Sequence, residues 1–170
     1  MPLWITIYCR KPVVAVSPAE LLHGISRADF WTLAEQYSID EELVDPALEV
    51  LRIEEAADSS QYEMQLIYRA AGQRQLDIYF WTNPRRVQEE IEEVLEALTD
   101  DQMLAPSRVR DHLQNTSAVV AIELGAAQFR DMGIVFAFEV ARWFAEYAEG
   151  LIKDDDDTWS CIEKGGFKPL

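Results

Sequence analysis

From Ser117 to Cys161 the chain reads strand, helix, strand, and no other stretch restricts its folding choices as much. In Ser117–Leu124 (SAVVAIEL), Ala118, Val120, Ile122 and Leu124 point one way, and Val119 and Ala121 point the other. A strand that is apolar on both sides belongs in the middle of a sheet covered on both faces. Gly125 ends it. A helix follows over about Met132–Glu149, with Asp131 as N-cap and Gly150 as the C-terminal stop. At 100° per residue, Met132, Phe136, Val140, Trp143, Phe144 and Tyr147 form one broad apolar face. Ala137, Ala141, Ala145 and Ala148 form a second face beside it. Charge is confined to Glu139, Arg142, Glu146 and Glu149, of which Glu139–Arg142 and Arg142–Glu146 have the spacing of weak side-chain pairs. A helix lying on a sheet keeps a wide polar face, so this one is expected to be covered twice: by the sheet, and by another helix of this chain or of a second copy. The alanine face is the expected place of close approach and the candidate homodimer surface. After Gly150 the chain reads either as an edge hairpin with an acidic tip, Asp154–Asp157, or as one interrupted strand. If it shares a sheet with Ser117–Leu124, a right-handed crossover is expected.

Upstream, Leu3–Cys9 (LWITIYC) has the β-branched and aromatic residues of a strand. Ser17-Pro18-Ala19-Glu20 opens a short helix that stops near His23-Gly24. Ser26-Arg27-Ala28-Asp29 reads as a second capping box, opening a helix through Phe30, Trp31, Leu33, Ala34 and Tyr37. Leu33–Ile53 resembles a bacterial helix-turn-helix in outline. A recognition helix needs cations and amides toward the DNA. Asp40, Glu41, Glu42, Asp45 and Glu49 stand there instead, and Arg52 is the only cation, so a DNA-reading role is set aside. Turns of helix are expected at Glu41–Val44 and Pro46–Leu48, and a strand over Val50–Glu54. Gln61–Arg69 and Gln75–Trp81 alternate around a turn at Ala70–Arg74 and predict a hairpin. Tyr79, Trp81 and Asp77 lie on its second face, which is either covered by a helix or an aromatic surface. Asn83-Pro84 caps a helix over Arg85–Leu98, and a loop at Asp100–Pro106 leads to a short helix at Ser107–Gln114.

The expected fold is α+β: a single domain over residues 1–170, with a mixed, mainly antiparallel sheet of about five or six strands and helices packed on it. The 170 residues suffice for a real core. No apolar run approaches the roughly 18–20 residues that span a membrane. The N-terminus has no basic segment followed by an apolar core, so a cytoplasmic protein is expected. Cys9 and Cys161 are expected to be reduced core thiols.

No phosphate loop, dinucleotide fingerprint or GxSxG elbow is present. His23 and His112 have no zinc-ligand spacing and read as surface or helix-end residues. Asp154–Asp157 lacks the spacing of an EF-hand. Glu139 would be an acid–base candidate if buried, but Arg142 offers it a pair. No catalytic residue, metal ligand or cofactor is therefore nominated. Net charge is −16, from 31 acidic and 15 basic residues. Such a chain repels nucleic acid and anionic membrane and attracts basic partners.

Three functional expectations follow. The first is a non-catalytic module that binds and neutralises a basic protein. In size and charge the chain is similar in general profile to bacterial immunity proteins, which block nuclease or other toxins, although no motif carries that similarity. The binding residues nominated are Glu89, Glu92, Glu93 and Glu96 on one helix face and Asp154, Asp155, Asp156 and Asp157 at the tip. The second is a small-molecule binder or enzyme with a pocket lined by Trp31, Tyr79 or Trp81. The third is a homo-oligomeric structural protein joined through Ala137, Ala141, Ala145 and Ala148.

Overall fold

The computed structural model describes residues 2–56 and 63–170, apart from the side chain of Gln102. Gln61 and Tyr62, part of the expected hairpin, lie outside the described residues. In chain order the elements are β1 (Leu3–Cys9), α1 (Pro18–Ile25), α2 (Phe30–Gln36), α3 (Val44–Val50), β2 (Arg52–Glu55), β3 (Glu63–Ile67), β4 (Leu76–Trp81) and α4 (Pro84–Ala97). Then come α5 (Pro106–Gln114), β5 (Ala118–Leu124), α6 (Met132–Tyr147), β6 (Gly150–Lys153), β7 (Trp159–Glu163) and β8 (Gly166–Pro169). Short 3-10 turns at Glu41–Leu43, Asp100–Gln102 and Ala126–Arg130 precede α3, α5 and α6.

Among the described residues eight strands form one sheet, in the order β2-β3-β4-β5-β1-β6-β7-β8, and every neighbouring pair is antiparallel. The α+β class is as expected. The strand number is larger than the five or six read from sequence, and the sheet is antiparallel rather than mixed. The difference comes from the C-terminus, where Trp159–Glu163 and Gly166–Pro169 form a second hairpin outside the first. The hairpin with the acidic tip is therefore not at the edge. β5 and β6 flank β1, and both run antiparallel to it. They are thus parallel to each other, and α6 makes the connection across β1.

One face of the sheet carries Ile5, Ile7, Leu66, Ile78, Phe80, Val120 and Ile122 and is covered by α6 with α1, α2 and α3. The other carries Tyr8, Val119, Leu151 and Trp159 and is covered by α4 and α5. β5 is buried on both sides, as its sequence requires.

Helix α6 is covered twice within this one chain, but not in the expected arrangement. Ala145 lies against the sheet: a methyl group at Gly150 would be 3.2 Å from its Cα. All four alanines are buried, so the proposed homodimer face is occupied inside the chain. A helix-on-helix approach occurs on the aromatic face, where the indole of Trp143 fills the space that a side chain at Gly24 of α1 would take. Phe136 packs edge-on against Phe30 of α2, and Phe144 against Phe80 of β4. The absence of a side chain at Gly24 admits the large indole against α1.

Helix ends need two further corrections. Ser26 does not open α2; it closes α1, donating its hydroxyl to the Leu22 carbonyl at 2.6 Å. The cap of α2 is Asp29, which accepts from the Thr32 amide and hydroxyl. Gly150 is not the stop of α6: the left-handed residue is Glu149, at φ 50°, and Gly150 begins β6. The turns expected at Glu41–Val44 and Pro46–Leu48 merge into one 3-10 turn leading into α3.

Candidate functional site

Helix α4 begins where Asn83 Oδ1 accepts from the Arg85 and Arg86 amides, at 3.0 and 3.3 Å, with Pro84 in the first helical position. Its stripe of Val87 and Ile91, continued by half-buried Val94, Leu95 and Leu98, lies against α5 and the sheet. That orientation turns Glu89, Glu92, Glu93 and Glu96 to solvent. Glu89 is bonded to Arg85 at 2.9 Å, and Glu92 accepts from Gln88 at 2.8 Å. Glu93 makes no ion pair among the described residues.

The acidic tip joins β6 to β7. Asp154 is a structural residue there: its Oδ1 accepts from the amides of Asp156 and Thr158 at 3.1 and 2.9 Å. Side-chain bonds to nearby amides are what let aspartate nucleate a turn. Asp157 takes a left-handed φ of 58°, and its Oδ1 lies 2.7 Å from Lys153 Nζ. Asp155 and Asp156 are exposed. Among the described residues, no group of three or more His, Cys, Asp or Glu side chains is placed to hold a metal ion.

The two acidic features meet. Glu93 of α4 and Asp157 of the tip line one cavity of about 190 Å³, together with Val94, Leu98, Met103, Trp159 and Lys153. Glu89, Glu92 and Glu96 lie outside its lining. Asp154, Asp155 and Asp156 line a second cavity, of about 120 Å³, with the apolar side chains of Leu3, Ile5, Phe129, Ile134 and Phe138.

The aromatic residues nominated for a pocket are dispersed. Trp31 lines a groove of about 340 Å³, whose Ser26 and Asp29 are already used in helix capping. The Tyr79 ring lies 5.6 Å from that of Trp4, and its hydroxyl donates to Glu123 at 3.0 Å. Trp81 is covered by the guanidinium of Arg86 at 4.8 Å. The second face of the hairpin is thus partly roofed by α4 and partly a half-open aromatic surface.

Several polar residues were missed from sequence. Glu90 is half-buried and accepts from the Tyr8 hydroxyl at 3.1 Å. Burial, then the charge of Glu90, raises the pKa of Tyr8 far above that of free tyrosine. The signal was present: Glu90 stands three residues after Val87 and four before Val94, on the buried stripe. His112 stands at a helix end, in the last turn of α5, as one of the two expected places, but not on the surface. It is buried, with Nε2 2.7 Å from the Tyr8 carbonyl, so Nε2 carries the proton and donates. Gln128 is also buried; it donates to the Tyr68 hydroxyl and the Gln75 carbonyl and accepts from the Gly125 amide. Asp131 joins this network through Tyr68, Arg69 and the Gly133 amide, fixing the start of α6. Glu139 is buried, and Arg142 bonds both of its carboxylate oxygens, the simpler of the two outcomes considered for it. Cys9 and Cys161 are both buried free thiols, on opposite faces of the sheet, and burial pushes Cys9 up to about 12.

Among the described residues no helix is long and apolar enough to cross a membrane. No family model matches the chain, and no curated protein or solved structure is significantly similar to it.

Proposed function

We propose that the protein is a non-catalytic, acidic protein-binding module that neutralises a basic protein partner. What carries this reading is the convergence of Glu93 and Asp157, from two separate acidic features, on one cavity lined also by Val94, Leu98, Met103 and Trp159. A net charge of −16 adds long-range attraction for a basic surface and repulsion for nucleic acid.

The test begins with affinity capture from lysate of the source cell at low and high salt. The recovered basic protein is then purified and titrated against the parent and against Glu89→Gln/Glu92→Gln/Glu93→Gln/Glu96→Gln. Removing four exposed carboxylates is expected to slow association by about tenfold at low salt and to flatten its salt dependence. An unchanged association rate, or recovery of no basic protein, refutes the proposal.

A further inference from the structure

We infer that the cavity at the C-terminal end of α4 receives a single lysine or arginine side chain from the basic partner. This rests on the protein-binding reading above and adds the chemistry of one contact to it. The lining carries the apolar side chains of Val94, Leu98, Met103 and Trp159, while its two acidic residues, Glu93 and Asp157, come from two different elements. A long basic side chain has the matching two parts, a methylene stem that prefers apolar cover and a charged head. At about 190 Å³ the space is smaller than small-molecule sites, which run to roughly 300–1,000 Å³.

The chain supplies its own stand-in for the ligand's head. Lys153 lines the cavity and places Nζ 2.7 Å from Asp157 Oδ1, with its side chain 28% exposed. A cation therefore already docks on one of the two carboxylates. Glu93 has no ion-pair partner among the described residues, so the second carboxylate is open. An incoming ammonium or guanidinium meets Glu93 and competes with Lys153 for Asp157. Lys153 thus acts as an internal competitor that sets the affinity of the cavity.

The probe is a short capped peptide with one central lysine, compared with the same peptide carrying Nε-acetyl-lysine or norleucine. Binding is read on the full chain by the NMR signals of the Trp159 indole N–H and the Met103 methyl, the indole assigned through Trp159→Phe. The lysine peptide is expected to give saturable shifts at both residues, and the two uncharged peptides none. Lys153→Met is expected to tighten binding about threefold, the scale of one exposed ion pair. Lys164→Met makes the same charge change at the exposed turn between β7 and β8 and is expected to leave binding unchanged. Ala97→Trp, at an exposed position of the lining, is expected to abolish the shifts while keeping the parent's denaturation midpoint.

Shifts of equal size with all three peptides, or shifts indifferent to both Lys153→Met and Ala97→Trp, overturn the inference. The purified basic partner separates this failure from that of the broader reading. A partner that binds Ala97→Trp as well as the parent, yet loses affinity for the four-glutamate variant, overturns the cavity and leaves the acidic surface standing. A partner indifferent to every variant overturns both.

Discussion

Replacing Gly150 with alanine tests how closely α6 is held against the sheet. A methyl group there would lie 2.6 Å from Cγ2 of Ile7 and 3.2 Å from Cα of Ala145. Neither neighbour can easily give way. Ile7 is fully buried in β1, which is hydrogen-bonded on one side by β5 and on the other by β6. The contact with Ala145 is to backbone, so relief requires moving the helix itself. Overpacking of a filled core costs about 1–3 kcal/mol. Alanine also narrows the unfolded ensemble, which returns roughly 0.4–1 kcal/mol. The expected net loss is about 1–2 kcal/mol. In a chain of 170 residues each kcal/mol moves Tm by about 2–4 °C, so Tm should fall by roughly 2–8 °C. Urea denaturation followed by tryptophan fluorescence should show a lower midpoint at unchanged m-value. Gly166→Ala is the matched control, because the nearest atom its methyl meets is the Glu163 carbonyl oxygen at 3.9 Å. That variant should be as stable as the parent or slightly more so. If Gly150→Ala behaves like Gly166→Ala, the argument from close packing is wrong.

Arg142→Met leaves the carboxylate of Glu139, 5% exposed, without the guanidinium that bonds both its oxygens. Stability should fall by about 2–4 kcal/mol, and Glu139→Leu combined with Arg142→Met should restore most of it. A single variant as stable as the parent in urea would show that the pair is dispensable. His112 gives a pH dependence with a definite sign. Burial, its largest cause, lowers its pKa below the ordinary 6.5, so the unfolded chain binds the proton more readily than the fold does. Its contribution is present above pH 6.5 and is lost as pH falls from there toward the lowered folded value. Denaturation midpoints measured between pH 7.5 and about 5 should decline more steeply for the parent than for His112→Gln. Parallel profiles would refute the assignment.

Local rules made the elements legible because each depends on neighbours in the chain. The alternation of Leu76, Ile78 and Phe80, the two-sided run of Ala118–Leu124 and the Asn83-Pro84 cap all appear in the fold within a residue or two. The errors fell where a local pattern has two physical solutions. Ser26 has the spacing of a cap, but the hydroxyl satisfies a carbonyl at the end of α1 just as well. The glycine after α6 looks like a C-terminal stop, but its lack of a side chain is needed for contact with Ile7 and Ala145. The alanine face invited a helix, but small residues equally suit a sheet pressed close. None of these choices can be made without knowing what lies across the gap.

The candidate site was half legible for the same reason. Glu93 was visible as one of four carboxylates on a solvent face, and Asp157 as one of four at a turn, and nothing in either pattern sets these two apart. Their distinction is tertiary: β6 and β7 run beside the end of α4, so Trp159 and Lys153 complete a cavity that Val94, Leu98 and Met103 begin. The remaining carboxylates then separate by what they touch. Asp154 is spent on two amides of its own turn, Glu89 on Arg85 and Glu92 on Gln88, whereas Glu93 stays open. On the proposed protein-binding reading, long-range attraction would draw on every charge in the set, and short-range recognition would fall to the few carboxylates that line a cavity and are uncommitted. Neutralising Glu93 alone should therefore raise the dissociation rate of a basic partner more than neutralising Glu89 or Glu92, although all three change the net charge equally.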